Sequence, residues 1–278
     1  EITKGDAGRG KTPFFSSFHQ VNIQTDKIVL FFDKDSLAIG EKATPVERIR
    51  EVTFESLDFF NKSDYLRIQN IASSHPLAIM KRMSEQLDNR ILDANSYAAR
   101  LNPKFSANNI RSLLYELVED AFIFYEQDKE EITVRDKVFH YVSANAAQRD
   151  FDNLSFTSKS STLNASLDVK DKSIIINGVD KLEWSRRQKV ASIFAGSQLQ
   201  LRKNRHIDFD GRIFAGFSVM EGKDFHFIYD KNWMVLDSVR YFDLFIPDPE
   251  SGGDEMYSIA SRLEHFSGIL MIDAPSNK

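Results

Sequence analysis

The order of apolar and polar positions indicates a helical middle section between two strand-rich flanks. Apolar residues recur at steps of three and four along Ser106–Phe122, which is typical of one face of a helix. A strand pattern follows at Phe122–Tyr125, then a charged turn at Glu126–Glu131 and a second strand pattern at Ile132–Val134. Helix, strand, turn and strand in this order form the second half of a winged-helix unit.

The same periodicity predicts further helices on both sides of this segment. Pro76 suits the first position of one helix, where the missing N–H has no intrahelical partner to lose, and Asp93 suits the cap of another. The predicted helices are Tyr65–Ala72, Pro76–Leu87, Asp93–Leu101 and Val138–Ala147. Together they predict a winged-helix-like insertion at Asn61–Val142.

The flanks, Pro13–Phe60 and Phe151–Ile246, carry short apolar and alternating runs separated by turn residues, which is typical of strands. Gln24–Lys27 predicts a hairpin connection, and Asn177-Gly178 is a strong turn dipeptide. The predicted fold class is α+β, with a β-rich sandwich, jelly-roll or solenoid-like region and a winged-helix-like helical insertion. The predicted domains are an N-terminal β segment at 1–60 that packs with the C-terminal β region, a winged-helix-like module at 61–145 and a β-rich region at 146–278.

Composition narrows the possible environments and partners. The 278 residues include 23 Phe and no Cys, and the net charge is −5. Aromatic side chains favour strands, and the negative charge gives no general attraction to nucleic acid or anionic lipid. No apolar run approaches the roughly 20 residues of a membrane-spanning helix. The start at Glu1, without an initiator methionine, predicts a processed protein or a piece of a longer one.

Residues Gly5–Thr12 spell GDAGRGKT, which matches the P-loop pattern for phosphate binding. A P-loop lies between a buried strand and a helix. Here only Glu1–Lys4 precede the string, and strand-like residues follow it. Ile28–Phe32 followed by Asp33 resembles the strand and acidic residue that would hold Mg²⁺ in such a protein. It follows the Gly5–Thr12 string too closely to leave room for the helix and strand that usually lie between the two. We interpret the string as a glycine-rich tail, with a P-loop NTPase as a weaker alternative.

A DNA-binding winged helix needs basic or amide side chains on its recognition helix. The Ser106–Asp120 segment offers Asn108, Asn109 and Arg111, but it also carries three carboxylates. Residues 61–142 hold 11 Lys and Arg against 12 Asp and Glu. Because a duplex binder concentrates positive charge on one face, we predict that the module packs or contacts protein. A DNA-binding winged-helix protein remains the alternative.

Other reactive side chains are scattered. The histidines, which lack the spacing of a zinc motif, are His19, His75, His140, His206, His226 and His265. The aspartates that could be imagined as a carboxylate pair or as Ca²⁺ ligands are Asp208, Asp210, Asp230 and Asp237, although aspartate is common in turns. Arg202–His206 could bind an anion, but is better explained as a solvated hairpin end. We predict no catalytic, cofactor-binding or metal-ligating residue, and no cofactor.

Several phrases in the sequence occur in a familiar order. They are Pro13–His19, Thr53–Ser56, His75–Leu77, Asn204-Arg205, Phe209–Gly211, Ala215-Gly216, Phe225–Asp230 and Ile272–Lys278. Together they resemble an internal segment of a family of very large exported or envelope proteins from Bacteroidetes-type bacteria, in which winged-helix-like residues interrupt a long β-rich region. The resemblance implies a signal peptide on the full-length protein and a location in the cell envelope or outside the cell. The resemblance implies no activity and identifies no ligand-binding residue.

From these observations we predict a non-enzymatic structural or protein-interaction segment of a larger cell-envelope or exported protein. The expected partner is another protein or other parts of the same long chain. No nucleic acid and no membrane span in this segment are expected.

Overall fold

The structure is a computed structural model, and it describes residues 2–3, 13–40, 49–69, 74–247, 256–259 and 262–272. Strands account for 46% of it and helices for 27%, which confirms the β-rich character that the sequence predicts. None of the helices in the described ranges combines the length and apolar character that crossing a membrane requires.

The elements are numbered in chain order. The strands are β1 (Ile2–Thr3), β2 (Phe14–Ser16), β3 (Val21–Gln24), β4 (Lys27–Phe31), β5 (Ser36–Ile39), β6 (Arg50–Ser56), β7 (Ile91–Asp93), β8 (Ile123–Glu126), β9 (Glu131–Val134), β10 (Ser155–Ser160), β11 (Ala165–Asp168), β12 (Ile174–Asn177), β13 (Lys181–Ser185), β14 (Val190–Phe194), β15 (Gln198–Leu201), β16 (Ile207–Ala215), β17 (Ser218–Ile228), β18 (Trp233–Pro247), β19 (Met256–Ser258) and β20 (Leu263–Met271). The α-helices are α1 (Lys62–Gln69), α2 (Pro76–Leu87), α3 (Ala94–Leu101), α4 (Arg111–Glu119) and α5 (Asp136–Asn145).

Contacts divide the chain into two compact units. The β unit contains Phe15–Ser56 and Asn153–Pro275, and the helical unit is built on Leu57–Asp152. Contacts alone define these units, so the domain boundaries 1–60, 61–145 and 146–278 stay a prediction.

The β unit contains a large antiparallel sheet in the order β4-β5-β11-β12-β15-β16-β17-β18, with β20 paired to β18 and with β14 and β13 branching from β16. A four-stranded sheet has the order β10-β6-β3-β2. Alternate residues of the large sheet form the core because successive side chains of a strand point to opposite faces. Examples from three of its strands are Ile174, Leu201 and Phe225, each with essentially no exposed surface.

The predicted hairpin at Gln24–Lys27 is wrong. Strand β3 pairs with β6 in the four-stranded sheet, whereas β4 pairs with β5 in the large sheet. Thr25 is buried at this corner, and its hydroxyl donates to the Lys27 carbonyl. The segment therefore connects one sheet to the other. The partners of β3 and β4 are determined by the strands with which they pair and not by the turn residues.

Asn177-Gly178 ends strand β12, as a turn dipeptide should, but it does not close a hairpin. Strand β12 pairs with β11 and β15, while β13 pairs with β14. Gly178 has a φ of +68°, and a side chain there would lie 2.0 Å from the Lys159 carbonyl oxygen. The Lys159 N–H donates to the Gly178 carbonyl at 2.8 Å. Glycine is thus required by close backbone packing.

Strand β18 is the longest of the described strands and runs from Trp233 to Pro247. An irregularity in its pairing with β20 falls between Leu236 and Val239. The polar residues Asp237 and Ser238 lie at this bulge, which adds a residue to a strand without ending it.

The helical unit packs its helices against a three-stranded antiparallel sheet in the order β7-β9-β8. Helix α2 begins at Pro76, and Asp93 caps α3 by accepting the Ser96 N–H at 2.6 Å. The predicted Ser106–Phe122 helix is shorter than expected. A 3-10 turn at Ala107–Ile110 precedes α4, and the helix ends before Ala121, whose φ is +61°. Strand β7 is not evident from the sequence.

Candidate functional site

One row of neighbouring residues crosses the large sheet from β4 to β20. Its members, in spatial order, are Val29, Ala38, Ser166, Ile175, Gln200, Asp208, His226, Val235 and Ile269. We call it the outer row, because it lies on the face opposite to the buried Phe225 and Phe227. Apolar residues occupy both ends of the row, and its centre is polar.

Asp208 holds the polar centre together. One carboxylate oxygen lies 2.8 Å from Nδ1 of His226, and the other accepts Nε–H of Arg202 at 2.8 Å. His226 Nε2 lies 3.3 Å from the carboxylate of Asp237, which belongs to the bulge of β18. Both ring nitrogens of His226 therefore face carboxylates, and neither is directed at a hydroxyl that it could activate as a nucleophile.

The network continues along the sheet from Arg202. Its guanidinium also donates to Gln200, whose amide donates in turn to the Ser173 hydroxyl, each at 2.8 Å. Ser173 binds Asp171 through its backbone N–H and its hydroxyl, and these hydrogen bonds lower the pKa of the Asp171 carboxyl. Each side chain is thus held by another side chain of the network, which fixes its orientation.

A shallow groove of about 330 Å³ lies beside this network. Its lining includes Ile175, Gln200, Asp208, Asp224 and His226. The polar side chains of Gln200, Asp208 and His226 in this lining already form hydrogen bonds within the network. In the ranges that the structure describes, no three His, Asp or Glu side chains are grouped so that they could hold a metal ion.

A second network lies further along β17. Glu221 accepts from Arg212 at 2.5 Å and from the Tyr241 hydroxyl at 2.9 Å, and Arg240 approaches it at 3.3 Å. The hydrogen bond from Arg212 holds the pKa of the Glu221 carboxyl below its ordinary value. Burial, followed by the neighbouring Glu221, raises the pKa of Tyr241. This cluster is a cross-strand ion pair with its partners in place.

The helical unit presents a different surface, formed by α4 and by the turn between β8 and β9. We call it the α4–wing face, because the β8–β9 turn would be the wing of the predicted winged-helix-like module. Tyr115 on α4 is 44% exposed, and its hydroxyl donates to Gln127 in the turn at 2.6 Å. Residues 111–131, which contain α4 and the turn, carry two basic residues, Arg111 and Lys129, and seven carboxylates. The carboxylates are Glu116, Glu119, Asp120, Glu126, Asp128, Glu130 and Glu131.

Basic side chains near the α4–wing face are engaged with it. Arg67 of α1 reaches across to Glu116 and to Asp120, the latter at 2.8 Å. Lys129 pairs with Glu126 at 3.0 Å. Arg111, which the sequence offers for DNA contact, donates to Asn108 at 2.6 Å. Arg67 and Lys129 therefore neutralise part of an acidic surface.

The residues singled out from the sequence are only partly brought together. Asp208 and Asp237 meet at His226, but Asp210 accepts the backbone N–H of Asp224, and Asp230 lies 3.8 Å from His206. These contacts fit neither the carboxylate pair nor the Ca²⁺ ligand set imagined for the four aspartates. The string at Gly5–Thr12 lies outside the described residues.

The interpretation of Arg202–His206 as a solvated hairpin end is wrong for Arg205. This side chain is 9% exposed, donates to the Ser56 hydroxyl at 3.0 Å and stacks over the ring of Tyr229 at 3.8 Å. A buried guanidinium must be paired, and its partners come from segments far apart in the chain. The strand register likewise unites Gln200, Ser173 and Asp171, which no local signal singles out.

Comparison of the chain with protein-family models, with curated proteins and with solved structures gives no match.

Proposed function

We propose that this chain is a non-enzymatic structural or protein-interaction segment of a larger cell-envelope or exported protein. We further propose that Leu57–Asp152 is a winged-helix-like unit that contacts protein through its α4–wing face. The acidic character of that face is the observation that carries the proposal.

The winged-helix-like interpretation rests on the order of elements and on strand pairing. Helix α2, strand β7, helices α3 and α4, and strands β8 and β9 follow one another, and β9 lies between β7 and β8. In a unit of this kind α4 takes the place of the recognition helix and the β8–β9 turn the place of the wing. These two elements reach duplex DNA in the nucleic-acid-binding members of the class.

Charge argues against DNA as the ligand of this unit. A protein that binds duplex DNA neutralises phosphates with Lys and Arg, whereas residues 111–131 carry seven carboxylates against one arginine and one lysine. Such a face repels a polyanion and attracts a cationic segment of another protein. Tyr115, half-exposed at its centre, offers an aromatic ring on which a lysine or arginine can stack.

A non-enzymatic role is supported by the arrangement of the polar groups in the β unit. His226, Asp208 and Arg202 satisfy one another, and so do Glu221 and Arg212. An active site keeps hydrogen-bonding capacity for a substrate and an open position for the reacting atom. A larger envelope or exported protein as the context rests on the sequence resemblance.

Fluorescence anisotropy with two probes tests this proposal. The chain is titrated into a labelled 20-residue peptide rich in lysine and arginine, and separately into a labelled 20-base-pair duplex, at 50 and 200 mM salt. We expect the peptide to bind at 50 mM salt and to weaken at 200 mM, and the duplex to remain unbound at both.

Charge-reversal variants test whether the peptide binds at the α4–wing face. The double variant Glu119→Lys/Asp128→Lys changes two exposed positions of the α4–wing face and is expected to weaken peptide binding at least tenfold. The matched control Glu85→Lys/Asp88→Lys makes the same charge change at two exposed positions at the end of α2 and should bind as the parent does. Duplex binding that falls steeply with salt would favour the DNA-binding alternative, and no binding of the peptide would overturn the proposed face.

A further inference from the structure

Strand β20 is an edge of the large sheet. It pairs with β18 over Leu263–Met271, and none of the described residues pairs with its other side. A free edge exposes a row of backbone N–H and C=O groups that can accept another strand.

The protection of this edge is confined to its first half. Natural edge strands are protected by charged residues, prolines and bulges. Here Glu264 and His265 lie near the start of β20, and His265 has a φ of +55°. The six residues of Phe266–Met271 contain neither a charge nor a proline. Ile269 and Met271 are 52% and 64% exposed, so this half is an open, apolar edge.

Two inner-face side chains of β20 are also only partly covered. Phe266 and Leu270 pair with the buried Val239 and Met234 of β18, and both therefore belong to the inner face. They are nevertheless only half-buried. An additional strand with apolar residues on its inner face would cover them.

We propose that the outer edge of β20 pairs antiparallel with β20 of a second copy of this chain, with Gly268 at the centre of the pairing. Phe266 of each copy then lies beside Leu270 of the other, so each half-buried inner side chain receives an apolar neighbour. Gly268 faces Gly268, and the absence of a side chain there leaves room on the inner face for Phe266 and Leu270. The contact is isologous and closes as a dimer. This inference concerns the β unit and does not depend on the α4–wing face.

Charge supports a second copy as the occupant. The open half of β20, Phe266–Met271, carries no charge, and a second β20 in the antiparallel direction brings an equally uncharged strand beside it. With Gly268 at the centre, Glu264 of one copy lies opposite residue 272 of the other. The two Glu264 carboxylates are then separated by about eight residues, or roughly 27 Å along the strands. No like charges meet across the pairing.

The register makes a specific prediction about the outer face. Ser267 of one copy lies opposite Ile269 of the other, and by symmetry this pair occurs twice. Both residues are exposed in the single chain, so charged substitutions there should not disturb its fold. Like charges at directly opposite positions destabilise a strand pair, and opposite charges stabilise it.

Sedimentation velocity between 1 and 100 µM tests the proposal on three proteins. The parent chain is expected to form a dimer of twice 31.9 kDa. The variant Ser267→Lys/Ile269→Lys is expected to remain at the monomer mass at 100 µM. The variant Ser267→Glu/Ile269→Lys places opposite charges across the pairing and is expected to dimerise again.

A matched control and a folding check complete the experiment. Ile193→Lys alters an equally apolar residue, 44% exposed, on β14, which is paired along both edges, and should leave the dimer unchanged. Circular dichroism melts should agree among all the proteins. A parent chain that stays monomeric at 100 µM, a dimer that survives the two lysines, or a failure of the glutamate–lysine variant to dimerise would each overturn the proposal.

Discussion

Asp208 and His226 face each other across the β16–β17 pair, with 2.8 Å between a carboxylate oxygen and Nδ1. The same carboxylate accepts from Arg202 with its second oxygen at 2.8 Å, so one side chain joins β15, β16 and β17 on the outer face. Because its partners are charged or polar and only partly exposed, Asp208 has a structural role in the β unit.

Removing the charge of Asp208 is therefore expected to destabilise the β unit. Asp208→Asn keeps the shape but weakens the bonds to both His226 and Arg202. We expect the free energy of unfolding to fall by about 1–2 kcal/mol, since charge-assisted hydrogen bonds contribute more than neutral ones and partial exposure screens them. Urea unfolding measures the change.

The matched variant for this prediction is Asp230→Asn. Its carboxylate is 64% exposed and lies 3.8 Å from His206, so the change should stay within about 0.5 kcal/mol. Equal effects of the two substitutions would contradict the role given to Asp208.

Three buried histidines predict that acid destabilises the protein. Burial lowers the pKa of His19, His75 and His140 below 6.5 in the folded chain. As pH falls below about 6.5, the unfolded chain gains protons that the folded chain resists, so the free energy of unfolding decreases. The stabilisation is complete above pH 6.5 and is lost as pH falls through the lowered pKa values. Urea unfolding at pH 7.5, 6.5, 5.5 and 5.0 measures it.

Single substitutions separate this effect from general acid damage. His140→Leu replaces a ring that is 2% exposed and should make the stability less dependent on pH between 6.5 and 5.0. His265→Leu replaces an exposed ring and is the matched histidine control. An unchanged slope in His140→Leu would exclude His140 as a contributor.

Asn164 connects separate backbone segments inside the β unit. Its side chain is fully buried, and its amide nitrogen donates to the carbonyl groups of Arg50 and Ser158 at 3.0 and 3.1 Å. Asn164→Ala leaves these two carbonyls with one donor fewer and creates a small void. We expect a loss of about 2–4 kcal/mol, measured by thermal or urea unfolding.

Asn89→Ala supplies the comparison for Asn164. The Asn89 side chain accepts a single backbone N–H, from Ile91, at an exposed position. Its removal should cost about 1 kcal/mol or less. A loss for Asn164→Ala as small as this would show that the buried amide is dispensable.

The P-loop-like string at Gly5–Thr12 is predicted to bind no nucleotide. The residues that follow it, Phe14–Ser16, form a strand, whereas phosphate binding by this motif uses the N-terminus of a helix that follows directly. Titration of a fluorescent ATP analogue with Mg²⁺ should give no saturable signal, and Lys11→Ala should behave as the parent chain does. Saturable binding that Lys11→Ala abolishes would restore the NTPase alternative.

The sequence predicts the helices better than the sheets because helices depend on local signals. Pro76 and Asp93 mark the starts of α2 and α3, where the structure places them. Strand pairing depends on residues far apart in the chain. The corner at Gln24–Lys27 therefore resembles a hairpin in the sequence, although β3 pairs with β6 and β4 pairs with β5. Strand β7 has three residues, too few to show an alternation.

The polar networks are harder to predict from the sequence than the helices are. His226 can be recognised as a strand-surface residue, but its contact with Asp237 requires both the β17–β18 register and the bulge in β18. Arg205 belongs to a charged run that looks solvated, and only the folded chain shows that Ser56 and Tyr229 enclose it. The acidic character of the α4–wing face, in contrast, follows from the charges of residues 111–131 once α4 and the turn are located.

Hydrogen exchange measured by mass spectrometry, with and without the lysine- and arginine-rich peptide, tests the proposed interaction face most directly. We predict that the bound peptide slows backbone amide exchange in Ser112–Glu131 and leaves the strands of the β unit unchanged. Protection confined to other segments, or none at peptide concentrations that saturate the anisotropy signal, would contradict the account.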